Sequence, residues 1–136
     1  MAGWLGRLYA LFLLGVVAIG CGEAEIFLHL GTRAPDTTPP TILDVQPPEG
    51  TTLFPGSTVS VTVVVTDNRG VEEVRLVAAS IPGITFPDIS PLDTDFLAPF
   101  TFTFFFPEEG IAFLTFEARD FSGNSASITV TYRIMF

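Results

Sequence analysis

The sequence predicts an all-β fold, a sandwich of two antiparallel sheets, behind a short N-terminal hydrophobic helix. Three observations predict it. From Thr41 onward the apolar residues recur with period 2, the repeat of strands whose side chains point alternately to core and solvent. The chain of 136 residues holds 12 glycines, 11 prolines and 14 phenylalanines, a composition that favours short strands and tight turns. After the N-terminal run, no window sustains an i, i+3, i+4 apolar pattern free of proline or β-branched residues, which disfavours helices.

The first element is an address. Met1 to Arg7 carries one positive charge and precedes the uncharged, mostly apolar run Leu8 to Ile19. Those residues as a helix span about 18 Å, short of the roughly 30 Å hydrocarbon core, which is the pattern of a secretory signal. Ala18-Ile19-Gly20-Cys21 closes the run and resembles a bacterial lipobox, although Ala18 stands where leucine is commoner. The resemblance implies cleavage after residue 20 and acylation of the Cys21 thiol, anchoring the chain to a bacterial membrane on its exported face. Two alternatives stay open. Trp4 to Gly22 can serve as an uncleaved signal anchor with Arg7 inside it, or Cys21 can be an unmodified residue beside an ordinary cleavage site.

Residues 21–40 then read as the lipidated cysteine and a tether. Gly31, Pro35, Pro39 and Pro40 fall here without a sustained period, and a flexible stretch of this length reaches roughly 25 Å. Ile26-Phe27-Leu28-His29-Leu30 is the apolar exception. It can pack on the domain, enter the lipid interface or meet a partner.

Residues 41–136 are expected to form the sandwich. Val59, Val61, Val63 and Val65 alternate with Ser60, Thr62, Val64 and Thr66, and Asp67-Asn68-Arg69-Gly70 supplies a turn. Val71, Val74, Leu76 and Ala78 mark the next apolar face, with the Val71–Val74 spacing pointing to a bulge. Phe100, Phe102, Phe104 and Phe106 alternate with Thr101, Thr103 and Phe105. Ala112, Leu114, Phe116 and Ala118 follow, opposed by Phe113, Thr115, Glu117 and Arg119. After the turn Asp120 to Asn124, the last strand sets Ala126, Ile128, Val130, Tyr132 and Ile134 against Ser127, Thr129, Thr131 and Arg133.

Several short motifs occur in a telling order. Asp36-Thr-Thr-Pro-Pro-Thr-Ile42, Pro55-Gly56, Asp67-Asn68-x-Gly70-Val71, Pro99-Phe100-Thr101-Phe102 and Ala118-x-Asp120-x-x-Gly123-Asn124 together resemble the bacterial immunoglobulin-like domains of surface proteins. The resemblance covers residues 36–134. It implies an immunoglobulin-like β-sandwich of about seven strands that holds, spaces or binds rather than catalyses. The sequence departs from the pattern in carrying a single copy, and in the long proline- and aspartate-rich segment Ile81 to Ala98.

Charge and residue inventory exclude several functions. With 15 acids against six basic residues, none a lysine, the formal charge is −9, which disfavours nucleic acid and polybasic attraction to anionic lipid. One cysteine cannot make a disulfide framework or a multi-cysteine metal site. The single histidine, His29, lies in the tether, so neither a zinc site nor a Ser–His–Asp or Cys–His arrangement is expected in the sandwich. Glu72-Glu73 and Glu108-Glu109 are adjacent in sequence and read as solvated turn acids. The chain is not expected to be an enzyme.

Two constellations remain. In this topology the lead-in to the first strand and two turns share one pole, which brings Asp36, Asp67, Asn68, Asp120 and Asn124 together. Oxygens of that kind suit calcium, the one cofactor expectation the sequence raises. The alternative is that these residues are present as turn formers beside Gly70 and Gly123. The second constellation is aromatic. Phe105 and Phe113 lie opposite the apolar faces of consecutive strands and are expected to meet as cross-strand neighbours, with Val64. Phe86 and Phe96 stand in the 81–98 segment, which either recognises a partner or covers an edge strand.

The resulting expectation is a lipid-anchored extracytoplasmic immunoglobulin-like module with a structural or protein-binding role. The alternative is an accessory subunit of a larger membrane assembly, touching partners through the N-terminal segment and the outer aromatic residues. Carbohydrate binding is a third class. It is disfavoured because the only tryptophan, Trp4, lies in the signal.

Overall fold

Alternation along each strand leaves one apolar face to bury, and the chain solves this with two sheets packed face to face. The computed structural model of the protein describes residues 34–136; the signal, Cys21, Ile26–Leu30 and His29 lie outside the described residues. In the smaller sheet, β3 (Ser57–Thr66) lies between β1 (Thr41–Gln46) and β6 (Phe100–Phe106). The larger sheet runs in the order β2 (Thr52–Leu53), β8 (Ser125–Ile134), β7 (Gly110–Asp120), β4 (Val71–Ser80) and β5 (Asp93–Asp95). All pairings are antiparallel except β2, which runs parallel to the end of β8 with Thr52 opposite Arg133. The described residues form eight strands, of which β2 and β5 have two and three residues, too few to show an alternation in sequence.

The core is the pair of inner faces read from the sequence. Val61 and Val63 of β3 and all four even-numbered phenylalanines of β6 are buried. Across from them lie Ala112, Leu114, Phe116 and Ala118 of β7 and Val130, Tyr132 and Ile134 of β8. Phe116 joins the sheets: its ring centroid is 5.1 Å from that of Phe102 and 6.4 Å from that of Phe104. Such ring pairs add to the area they bury through edge and offset contacts. Tyr132 is fully buried, yet its hydroxyl donates a 2.7 Å hydrogen bond to the Pro47 carbonyl, tying β8 to the connection after β1.

Irregularities sit on β1 and β4. The register of β4 against β7 shifts between Val71 and Glu73, as the Val71–Val74 spacing predicts, and shifts again between Leu76 and Ala78. The second shift corrects the expected face of Ala78, which is exposed, while Ala79 packs against the core. In β1 a shift between Ile42 and Asp44 turns Leu43 outward, a bulge on an edge strand of the kind that discourages pairing with other chains.

The 81–98 segment covers the free edge of β4. Its short β5 places Asp95 opposite Val74 and Asp93 opposite Leu76, and the Leu92 amide donates to the Leu76 carbonyl at 2.8 Å. Ile84, Phe86 and Leu92 lean on the core from this side. At the other boundary the compact unit begins at Asp36, five residues before the expected start at Thr41. Asp36 and Pro40 are buried in this unit, while residues 37–39 between them are exposed.

Candidate functional site

Three strand ends meet at one pole of the sandwich: the lead-in to β1, the β3–β4 turn and the β7–β8 turn. The lead-in contributes Asp36, the first turn Asp67 and Asn68, and the second Asp120 and Asn124. One carboxylate oxygen from each of Asp36, Asp67 and Asp120 lies within 4.8 Å of the other two. The expected cluster is therefore assembled, from residues separated by more than thirty positions, because antiparallel strands of similar length return their turns to the same end.

Each carboxylate has a different set of partners. The β7–β8 turn is built on Asp120, whose Oδ1 accepts the amides of Ser122 and Asn124, each at 2.8 Å, while Oδ2 accepts Asn124 Nδ2 at 2.7 Å. Gly123, with φ +90°, gives the turn a backbone conformation that side-chain-bearing residues rarely adopt. Burial pushes the Asp120 carboxyl up, but the hydrogen bonds from the Asn124 side chain and from the Asn124, Ser122 and Gly123 amides outweigh it and hold the pKa below the ordinary value. It stays ionised although its residue is 0% exposed.

Asp36 is 7% exposed. Its Oδ1 accepts the Thr38 amide at 3.1 Å and Asn68 Nδ2 at 3.2 Å, and its carbonyl accepts Asn124 Nδ2 at 2.9 Å. Its Oδ2 is buried and accepts no hydrogen bond from the described residues. Asp67 is half-buried; its Oδ2 accepts the Arg69 amide at 2.8 Å, and its buried Oδ1 likewise has no partner. Two buried anionic oxygens thus lack donors inside a cluster of three carboxylates. Buried polar groups are nearly always satisfied, and one without a protein donor calls for an ordered water, an ion or a specific strain. Two like charges 4.8 Å apart also repel, by roughly 1 kcal/mol in water and about 3.5 kcal/mol at an effective dielectric of 20.

These three carboxylates are the residues that could hold a cation. Two oxygens bound to one calcium at about 2.3–2.6 Å can be no more than about 5 Å apart, and all three carboxylates meet that limit. No histidine or cysteine is among them, so the site is made of hard oxygens, which suit calcium over zinc. Asn68 and Asn124 donate through their amide nitrogens, Asn68 to Asp36 Oδ1 and Asn124 to the Asp36 carbonyl and Asp120 Oδ2, which orients the two carboxylates.

The aromatic constellation separates. β6 and β7 follow one another in sequence but belong to different sheets, so Phe105 and Phe113 lie on opposite outer faces, 49% and 47% exposed. They are not cross-strand neighbours: Phe105 stands opposite Thr58, and Phe113 stands between Ser80 and Thr131. Val64 shares the outer face of Phe105's sheet, but it is six residues along β3 from Thr58, about 20 Å away. In the 81–98 segment Phe86 packs on the core and Phe96 is 68% exposed. A shallow groove between β1 and β8, lined by Ile42, Val45, Ile128 and Val130 with Asp44 and Glu49, shares no residue with the acidic pole.

Sequence reasoning missed the ion-pair ladder on the outer face of the larger sheet. Arg75 pairs with Glu117 across β4 and β7, and Arg119 Nη1 lies 3.3 Å from Glu73 Oε1. The alternation of Glu117 with Arg119 was visible, but the β4 bulge decides which of its charges lie opposite.

Comparison with known proteins agrees with this architecture. A family model described as a bacterial Ig domain matches residues 40–130. Among solved structures, the fibronectin(III)-like modules of Clostridium thermocellum CbhA are similar at 16% identity, with a TM-score of 0.52, over 71% of this chain and 45% of that one. At this identity the likeness concerns the fold, and the chain spans less than half the length of that structure. No curated protein matches the sequence.

Proposed function

The chain belongs to the bacterial Ig domain family, and from that premise we propose that it is a calcium-binding, non-catalytic module held at a bacterial membrane, with a structural or protein-binding role. The observation that carries the calcium reading is the pair of unpartnered buried oxygens on Asp36 and Asp67, beside the ionised Asp120. A divalent ion gives those oxygens the partner the fold withholds and cancels their mutual repulsion.

Anchoring rests on the N-terminal residues, where the hydrophobic run ending at Gly20-Cys21 supports export and acylation of Cys21. Domains of this family are typically surface modules, which accords with export. The acidic pole lies where the chain enters the sandwich, so the ion sits at the membrane-tethered end of the domain in this reading. The outer faces, with Phe105 on one and Phe113 on the other, are left for a partner.

The test uses the native full chain. It is stripped with chelator and melted with and without calcium, with magnesium as comparison. A melting temperature raised by calcium is expected; coincident curves remove the calcium reading. Intact mass of the membrane-extracted chain tests the anchor, with loss of residues 1–20 and added acyl mass expected.

A further inference from the structure

We propose that the acidic pole is an ion-dependent clamp on the chain entering the domain: bound calcium holds Asp36–Pro40 against the two turns, and its removal frees that stretch. This rests on the calcium reading above and adds its consequence for the fold. The three carboxylates are not held equally. Asp67 sits directly after β3, in a turn between two strands of the sheets, and Asp120 ends β7 and carries a turn built on its own oxygens. Asp36 sits on a segment that belongs to no strand.

Two hydrogen bonds join that segment to the turns, and both end on Asp36: Asn68 Nδ2 to its Oδ1 and Asn124 Nδ2 to its carbonyl. The Thr38 amide also folds back on Asp36 Oδ1, so the local turn depends on where this carboxylate lies. Asp36 Oδ2, on a residue more than nine-tenths buried, has no donor. Of the three like charges, Asp36 is therefore the one that can leave without breaking a strand ladder. An ion shared with Asp67 and Asp120 reverses the preference, because it binds the closed arrangement and not the open one. Pro39 and Pro40 stiffen the stretch, so freeing Asp36 changes the direction in which the chain leaves the sandwich rather than fraying single residues.

Amide hydrogen exchange of the native full chain, read at Thr37 and Thr38 after chelation and again in about 10 mM calcium, tests the clamp. For a dissociation constant in the range of extracellular modules, about 10⁻⁴–10⁻³ M, exchange at Thr38 is expected to slow by roughly 10- to 100-fold. Strand-centre amides such as Val61 and Leu114 serve as controls and change far less. Asp67→Asn, which replaces none of the residues that hydrogen-bond to Asp36, is expected to abolish the calcium effect at Thr38. A calcium-raised melting temperature with unchanged exchange at Thr37 and Thr38 overturns the clamp and leaves calcium binding standing. No change in either measurement overturns both. If Asp67→Asn retains the full calcium effect, coupling through a shared ion is refuted.

Discussion

Replacing Asp67 by asparagine should stabilise the calcium-free protein and destabilise it relative to wild type when calcium is present. Asparagine keeps an oxygen for the Arg69 amide, now 2.8 Å from Asp67 Oδ2, and replaces the unpartnered Oδ1 with an uncharged amide group. It also removes one of three charges held within 4.8 Å. The repulsion between two such charges lies between roughly 1 and 3.5 kcal/mol, depending on the effective dielectric, and the half-exposure of Asp67 selects the low end. A gain of about 1 kcal/mol corresponds to a rise in melting temperature of about 4–8 °C for a domain of this size.

Wild type in about 10 mM calcium gains roughly 1.4–2.7 kcal/mol if its dissociation constant is about 10⁻⁴–10⁻³ M. The variant forfeits most of that gain with its lost ligand. The two proteins should therefore change order: the variant melts higher in chelator and lower in calcium. Thermal melts of both under both conditions decide it. A variant that melts lower than wild type in chelator, or that keeps the whole calcium shift, would refute the electrostatic account of the pole.

Other consequences are more local. Phe116→Ala, emptying the space between Phe102 and Phe104, should lower stability by about 3–5 kcal/mol in denaturant unfolding. Burial, with Glu49 nearby, pushes the Tyr132 phenol up to about 12 from the ordinary value of 10. A raised folded-state value means this contribution is whole below pH 10 and is lost as pH rises toward 12; unfolding measured across that window should show the loss in wild type and not in Tyr132→Phe. The same variant should be less stable at neutral pH by about 1 kcal/mol or more, because the Pro47 carbonyl loses its donor. Cys21→Ser should release the chain from membranes into the soluble exported fraction; unchanged membrane retention counts against a lipid anchor.

Much of the fold was legible because burial in a sandwich imposes a period of 2 on every long strand. The run Phe100 to Phe106 shows it most plainly: four buried phenylalanines alternate with three exposed residues, in the order the sequence predicts. The bulge at Val71–Val74 was legible for the same reason, since an extra residue breaks that period. The two-residue β2 and the three-residue β5 were not, because a segment shorter than one full alternation carries no periodic signal. Ala78 was placed on the wrong face because a second bulge follows Leu76 and alanine is apolar enough to suit either side.

For the candidate site, the sequence by itself determined which residues share a pole. The immunoglobulin-like topology that its motifs imply puts the lead-in to the first strand and two of the turns at one end, and that brings Asp36, Asp67, Asn68, Asp120 and Asn124 together. Only the tertiary structure decided which of them face inward with free oxygens and which serve as donors, because that depends on where each carboxylate's local amides lie. The tertiary structure also separated Phe105 from Phe113. Consecutive strands in a sandwich can pair or can cross between sheets, and both choices satisfy the same alternation. The crossing from β6 to β7 is set by how the two inner faces pack, a contact between residues distant in the chain that no local pattern records.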